Sequence, residues 1–164
     1  MTGRSVRERR FGPRLHFCQI LSLLPEKLRP EGRKTFKAYN GVNNIFNLAY
    51  EVLSWKVHRA IVRAKLEPYL GFLHSVQESK PSLVCDLEEL YRYLLDDFLI
   101  CYRETLNQKD FILKPETLSK GKLSKREYLD ELKTNDLLKR LDDFLSRSLR
   151  SQESELARSR ALRP

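Results

Sequence analysis

The sequence predicts an all-α protein, and three observations carry that prediction. Apolar residues recur every three or four positions along most of the chain, which is the period of an amphipathic helix. Alternating segments typical of strands are nearly absent. Proline, glycine and asparagine cluster between the periodic segments, where a helical chain must turn. We therefore expect a multi-helix domain over residues 1–150 and a disordered tail over 151–164, which has little to bury.

A short helix and a long one are predicted in the first half of the chain. The short helix covers His16–Leu24, and Pro25 and Pro30 break the chain after it. The long helix covers Asn43–Lys65, because Pro68 disfavours its continuation. Its apolar stripe consists of Phe46, Tyr50, Leu53, Val57, Ile61 and Ala64.

Two further helices are predicted in the second half. Ser82 has the chemistry of an N-cap for a helix that continues to about Asn107. Its apolar stripe is Leu83, Leu87, Leu90, Leu94, Phe98 and Cys101. Residues 114–124 are expected to form a loop before a last amphipathic helix. That helix uses Leu129, Leu132, Leu141, Leu145 and Leu149.

Composition and charge narrow the function classes. The 164 residues suffice for one domain with a core. A net charge of +9 favours a polyanionic partner, although ribosomal, membrane-surface and chromatin proteins share such a charge. No apolar run reaches the roughly 18 residues of a membrane span, and no secretory signal follows the basic first residues. We expect no membrane partner.

The three cysteines predict neither a zinc site nor a disulfide framework. Cys18, Cys85 and Cys101 are odd in number, lie in apolar stretches and form no CxxC pair. Buried free thiols in a reducing compartment are the expected state. The expected location is therefore the cytoplasm.

An acidic line follows one face of the helix predicted from Ser82. Asp86 and Glu89 lie one turn apart, about a quarter turn from the apolar stripe, and Tyr93 and Asp97 continue the line. Two carboxylates this close repel each other, so a cation between them would relieve that repulsion. Their oxygens favour magnesium or manganese, and a histidine ligand shifts the preference towards manganese. Such pairs on helices also commonly face only water.

Three successive segments resemble the CRISPR-associated integrase and endonuclease family, the first-numbered Cas protein. They are NNIFNLAY, LEPYLGFLHS and SLVCDLEELYRYLLDDF. The family pattern is matched by Asn43, Tyr50, Leu66, Pro68, Gly71, Phe72, His74, Asp86, Leu87, Glu89 and Arg92. The resemblance covers roughly residues 8–113, and the residues found in the three motifs suggest an archaeal branch of the family.

The resemblance implies a metal-binding catalytic site. It makes His74, Asp86 and Glu89 catalytic, with Mn²⁺ or Mg²⁺ held by Glu8, His74 and Glu89. Asp86 is implied either as a direct ligand or as the group that holds His74. Glu8 stands in an arginine-rich segment, so a solvated glutamate is the alternative interpretation.

The implied activity is metal-dependent DNA cleavage and integration in CRISPR spacer acquisition. A 3′-hydroxyl, or water, would attack a DNA phosphodiester. The implied partners are double-stranded and branched DNA, a second copy of the chain and the second-numbered CRISPR-associated protein. The family's N-terminal β-rich domain has no counterpart here, so a truncated catalytic domain is expected. A catalytically impaired remnant and a plain basic DNA-binding protein remain the alternatives.

Basic residues on the long helix and beside the acidic motif are candidate phosphate contacts. They are Lys56, Arg59, Arg63 and Arg92. His58 is interpreted as facing solvent or a partner, without a catalytic role. Trp55 is expected in the core.

Overall fold

Three long helices and one hairpin make up most of the fold. The structure is a computed structural model that describes residues 17, 19–36, 38–74, 80–117 and 123–161. The helices are α1 (Gly41–Arg63), α2 (Ser82–Tyr102) and α3 (Glu131–Ala161). Strands β1 (Phe111–Thr117) and β2 (Leu123–Leu129) form a two-stranded antiparallel sheet. The all-α class is confirmed, with this small hairpin as an addition.

Helix α1 begins two residues before the predicted start. The Asn40 side chain explains this, because its Oδ1 accepts the backbone N–H of Val42 at 2.9 Å and of Asn43 at 3.3 Å. At the other end, Lys65 adopts a left-handed φ of 59°. The Leu66 N–H then donates to the Ile61 carbonyl at 3.1 Å, which closes the helix before Pro68.

Helix α2 begins at Ser82 itself, so Ser82 is its first residue rather than the predicted N-cap, and the helix ends five residues before Asn107. A short 3₁₀ turn, Arg103–Thr105, follows it. Two side chains of this turn donate hydrogen bonds to backbone carbonyls of α2. Arg103 Nη1 donates to the Ile100 carbonyl at 2.6 Å, and Thr105 Oγ1 donates to the Tyr102 carbonyl at 2.8 Å. The local side-chain bonds thus compete with further α-helix.

The hairpin corrects the expectation of a loop over residues 114–124. Both ends of that segment are strand, and Lys114 pairs with Arg126 in the register. The Arg126 guanidinium lies 5.3 Å from the Tyr39 ring centroid and 5.9 Å from that of Tyr128. These tertiary contacts favour the strand despite a charged sequence with a proline. Leu129 ends β2, so it does not belong to the last helix.

The hairpin belongs to the first of two compact units, which comprises Met1–Leu48 and Leu99–Asp130. Here Glu127 fixes β2 to the start of α1. Its N–H donates to the Tyr39 carbonyl at 2.9 Å, and its Oε2 accepts the Gly41 N–H at 2.9 Å. A Cβ on Gly41 would lie 2.1 Å from the Phe111 ring, so only glycine allows this approach.

The second unit comprises Ala49–Phe98 and Glu131–Pro164. Its buried apolar side chains are Ala49, Leu53, Val57, Ile61, Val84, Leu94, Leu95, Phe98, Leu137, Leu141 and Leu145. The predicted α2 stripe is wrong at Leu90, which is 59% exposed, because Val84 and Leu95 take the inward positions instead. An apolar cavity of about 140 Å³ lies between residues of all three helices within this unit, including Val57, Leu94 and Leu145.

Three smaller expectations also differ from the structure. Trp55, expected in the core, is 63% exposed. Cys101 is a free thiol as expected but is exposed, and Cys18 lies outside the described residues. Helical backbone of α3 continues to Ala161, across most of the expected tail over 151–164. The glutamine, glutamate, arginine and alanine residues within 151–161 have high helix propensity, which favours the continuation of the helix. No helix in the described ranges is long and apolar enough to cross a membrane.

Candidate functional site

The loop before α2 carries His74 and folds around one carboxylate of that helix. Asp86, on the second turn of α2, is fully buried. Its Oδ2 accepts the backbone N–H of Phe72 at 2.5 Å and of Leu73 at 2.9 Å. Its Oδ1 accepts the His74 N–H at 2.9 Å and lies 2.5 Å from His74 Nδ1. Four hydrogen bonds from three successive residues therefore surround this carboxylate.

Gly71 allows the loop to approach α2. A Cβ at this position would lie 2.7 Å from Asp86 Oδ2 and 2.7 Å from the Cβ of Ser82. Earlier in the same loop, the Pro68 carbonyl accepts the backbone N–H of Leu83 at 3.0 Å, which attaches the loop to α2 at a second point. The close contact to Asp86 thus requires a residue without a side chain at Gly71.

The hydrogen bonds keep Asp86 ionised inside the protein. Burial by itself raises the pKa of this carboxyl, because it disfavours the charged form. The bonds from Leu73, from the His74 side chain, from Phe72 and from the His74 backbone outweigh burial, and lower the pKa from 3.8 to about 2. An ionised carboxylate only accepts hydrogen bonds, so the proton of the contact belongs to His74 Nδ1.

This pairing leaves the other ring nitrogen of His74 available. When the imidazole is neutral, a proton on Nδ1 leaves the ring lone pair on Nε2. The His74 side chain is 39% exposed, whereas Asp86 is not exposed at all. A histidine held in this way by a carboxylate has the arrangement usual for a metal ligand.

Glu89 lies one turn after Asp86 on α2, but its carboxylate is exposed whereas that of Asp86 is buried. Its side chain is 48% exposed, and it forms an ion pair with Arg92. The Arg92 guanidinium also lies 5.2 Å from the Tyr50 ring centroid. The acidic line predicted on α2 is therefore divided between a buried carboxylate and an exposed one.

No group of three metal-binding side chains converges within the part of the chain that the structure describes. His74 and Asp86 are brought together there, while Glu89 does not join them in such a group. Glu8 lies outside the described residues. The donor types present, one imidazole nitrogen and one exposed carboxylate, are nevertheless of the kinds that bind divalent cations.

The neighbouring Cys85 is a free thiol, as expected, and is partly buried. Burial raises its pKa, and the charge of Glu88 raises it further. The thiol is therefore protonated at neutral pH and a poor nucleophile.

Two of the four candidate phosphate contacts are already paired. Lys56 forms an ion pair with Asp142, and Arg92 pairs with Glu89. Arg59 and Arg63 lie on the exposed part of α1, and neither has an ion pair with a described residue. They are one helical turn apart on the same side of α1.

Sequence reasoning missed the buried partner of Tyr50. The Tyr50 hydroxyl donates to Asp96 Oδ1 at 2.6 Å, and Asp96 is only 5% exposed. A carboxylate inside the apolar run LLDDFLI was the available signal, because a buried charge requires a hydrogen-bonding partner.

Comparison with known proteins identifies the family. The sequence model of the family described as CRISPR associated protein Cas1 matches residues 12–134, which is most of the chain. The chain belongs to the Cas1 family. The resemblance noted from the three motifs is thereby confirmed.

Relatives of this Cas1 chain occur in bacteria and archaea. A CRISPR-associated endonuclease Cas1 of Francisella tularensis subsp. novicida is 45% identical over 71 residues, which are 43% of this chain and 22% of that protein. Another, from Thermus thermophilus, is 35% identical over 86 residues, which are 52% of this chain and 26% of that protein. The chain thus matches about a quarter of the length of these relatives.

Solved structures share the fold of this Cas1 chain. A casposase bound to integration product superimposes with a TM-score of 0.65 at 23% identity, over 80% of this chain and 36% of that one. A partial Cas6-RT-Cas1–Cas2 complex gives a TM-score of 0.66 at 21% identity, over 78% of this chain and 38% of that one. At these identities the likeness establishes the helical fold alone.

Proposed function

We propose that this chain forms the catalytic part of a metal-dependent DNA endonuclease and integrase that acts in CRISPR spacer acquisition. The observation that carries the proposal is His74, held at Nδ1 by the buried Asp86 with its Nε2 available. The names of the relatives support the endonuclease activity. The casposase bound to its integration product supports strand transfer.

The proposed cation site consists of His74, Glu89 and Glu8. His74 contributes Nε2, and Glu89 contributes an exposed carboxylate oxygen. Asp86 is the positioning residue, because its four contacts leave it directed at the loop rather than at a ligand. A bound Mn²⁺ or Mg²⁺ would orient the attacking oxygen and stabilise negative charge on the scissile phosphate.

The proposed reaction is attack by a DNA 3′-hydroxyl on a phosphodiester. The new oxygen–phosphorus bond replaces the one that breaks, so the reaction consumes no nucleoside triphosphate. Attack by water at the same phosphate gives strand cleavage instead. The role of the protein is to fix the His74 ring and to supply the carboxylates that would hold the cation close to the phosphate.

The proposed DNA surface is centred on α1. Arg59 and Arg63 are the principal phosphate contacts, because neither is neutralised by an ion pair with a described residue. Lys56 and Arg92 contribute less to DNA binding while they remain paired with Asp142 and Glu89. Double-stranded and branched DNA are the proposed substrates. The proposed protein partners are a second copy and Cas2, which is present in a structural neighbour's complex.

The test is cleavage of branched and duplex DNA in the presence of Mn²⁺. We expect His74→Ala and Glu89→Ala each to reduce the rate at least 100-fold, because each removes a proposed ligand. Asp97→Ala is the matched control, since Asp97 is an exposed carboxylate further along α2. Glu8→Ala tests the third proposed ligand.

Two outcomes contradict the proposal. Cleavage that survives both His74→Ala and Glu89→Ala would show that the site is assigned wrongly. Salt-sensitive DNA binding with no cleavage and no metal effect would favour the plain DNA-binding alternative.

A further inference from the structure

A chain of three contacts connects the interior of the second unit to Glu89. It starts at Asp96, a buried carboxylate on α2 that accepts the Tyr50 hydroxyl at 2.6 Å. A hydroxyl bonded to a buried carboxylate restricts the rotation of its tyrosine side chain. The ring of Tyr50 is therefore a fixed surface on α1.

The second contact is between this ring and Arg92. The guanidinium carbon lies 5.2 Å from the Tyr50 ring centroid, within the range of a cation–π interaction. The third contact is the ion pair of Arg92 Nη1 with Glu89 Oε1. This pair engages Oε1 and leaves Oε2 of Glu89 for another ligand.

An exposed pair three residues apart on a helix usually contributes little, because both long side chains stay mobile. The Arg92 and Glu89 side chains are 41% and 48% exposed. The difference here is the aromatic ring, which orders the guanidinium before any ligand arrives. Ordering in advance lowers the entropy that binding must otherwise overcome.

We propose that Tyr50 and Arg92 are positioning residues that orient the Glu89 carboxylate for cation binding. The inference rests on the proposed function, because it takes Glu89 as a metal ligand. Arg92 holds one carboxylate oxygen, and the other is presented to the cation. Ligating carboxylates are commonly held in this way, and loss of the holding group weakens metal affinity about 10- to 100-fold.

The test is the dissociation constant of Mn²⁺ alone, measured on the full chain without DNA by electron paramagnetic resonance of free Mn²⁺. We expect Arg92→Gln to weaken binding about 10-fold or more. Loss of a nearby positive charge would by itself strengthen cation binding, so a weakening identifies a positioning role. Arg140→Gln is the matched control, since Arg140 also pairs with a carboxylate on its own helix, Asp136.

Tyr50 is tested by two variants and a double-mutant cycle. Tyr50→Leu removes the ring and is expected to weaken Mn²⁺ binding several-fold, whereas Tyr50→Phe keeps the ring and has a smaller effect. In the Arg92→Gln background, Tyr50→Leu is expected to change the affinity no further, because it acts through Arg92. A purely structural role would change the unfolding temperature equally in both backgrounds and show no such coupling.

The outcomes separate this inference from the proposed function. Unchanged or tighter Mn²⁺ binding in Arg92→Gln, with weaker binding in Glu89→Gln, overturns the positioning role alone. Unchanged binding in Glu89→Gln overturns the metal assignment itself.

Discussion

At the scale of single residues, Asp86 combines full burial with ionisation. Its four hydrogen bonds come from the backbone of residues 72–74 and from the His74 ring. Such contacts compensate for the water that a buried carboxylate loses. Asp86 therefore stabilises both the loop and the orientation of the histidine.

Asp86→Asn is expected to destabilise the protein in a pH-dependent way. The pKa of Asp86 is lowered in the folded state, from 3.8 to about 2. A group of this kind contributes stability above its unfolded pKa and loses that contribution as the pH falls towards its folded pKa. The difference in unfolding free energy between the native chain and the variant should be full at neutral pH and should shrink between about pH 4 and pH 2.

Urea unfolding followed by circular dichroism across that pH range measures this difference. Asp97→Asn provides the control, because Asp97 is exposed on the same helix and its replacement is expected to have a small effect. A difference that stays constant from pH 7 to pH 2 would show that the Asp86 charge does not stabilise the loop.

The sequence predicts part of this site and not the rest. The GFLH and DLEE segments predict that His74, Asp86 and Glu89 act together. Helical spacing alone puts Asp86 and Glu89 on one face, yet it cannot distinguish a buried carboxylate from an exposed one. That difference depends on backbone donors from a separate loop, and on a glycine at position 71 that allows the loop to approach.

At the scale of elements, the existence of the three long helices was predicted and the hairpin was not. Phe46, Leu53, Val57 and Ile61 on α1 are buried as their spacing predicts. The hairpin carries lysine, arginine and proline, and its pairing depends on contacts to Tyr39 and to the start of α1. Contacts between residues so far apart in sequence produce no local periodic pattern of apolar residues.

Lys65→Gly is expected to stabilise the protein by about 0.5–1 kcal/mol. Lys65 has a φ of 59°, and the left-handed conformation costs a residue with a Cβ about 1–2 kcal/mol. Glycine removes this strain but adds freedom to the unfolded chain, which reduces the gain.

Thermal and urea unfolding check the gain at Lys65. Glu51→Gly is the comparison, because Glu51 lies exposed within α1 and glycine there should destabilise by about 1 kcal/mol. Equal destabilisation by both substitutions would mean that the helix end is not strained.

At the scale of the whole molecule, the net charge of +9 agrees with the DNA partner that we propose. Charge alone cannot distinguish a nuclease from other basic proteins. The three motifs in the correct order predicted the Cas1 family, which charge could not. The division of the chain into two units, each built from two separate stretches, was not predicted, because it depends on contacts distant in sequence.

Arg59→Ala and Arg63→Ala are each expected to reduce the salt dependence of DNA binding. Each phosphate contact that is lost should lower the slope of log K against log salt by about 1. Arg59→Lys keeps the charge and should keep the slope. Lys56→Ala should change it less, because Lys56 is paired with Asp142.

Fluorescence anisotropy of a labelled duplex at several salt concentrations, without divalent metal, measures these slopes. Slopes that do not change in Arg59→Ala or Arg63→Ala would place the DNA surface elsewhere.

The exposed Trp55 gives this chain a built-in optical probe. It is the single tryptophan of the sequence, and its ring lies 6.2 Å from that of His58. Trp55 precedes Arg59 on α1 by one helical turn. All indole emission therefore originates at one known point. Its spectral shift and quenching on addition of nucleic acid will report the environment of α1 without any chemical label.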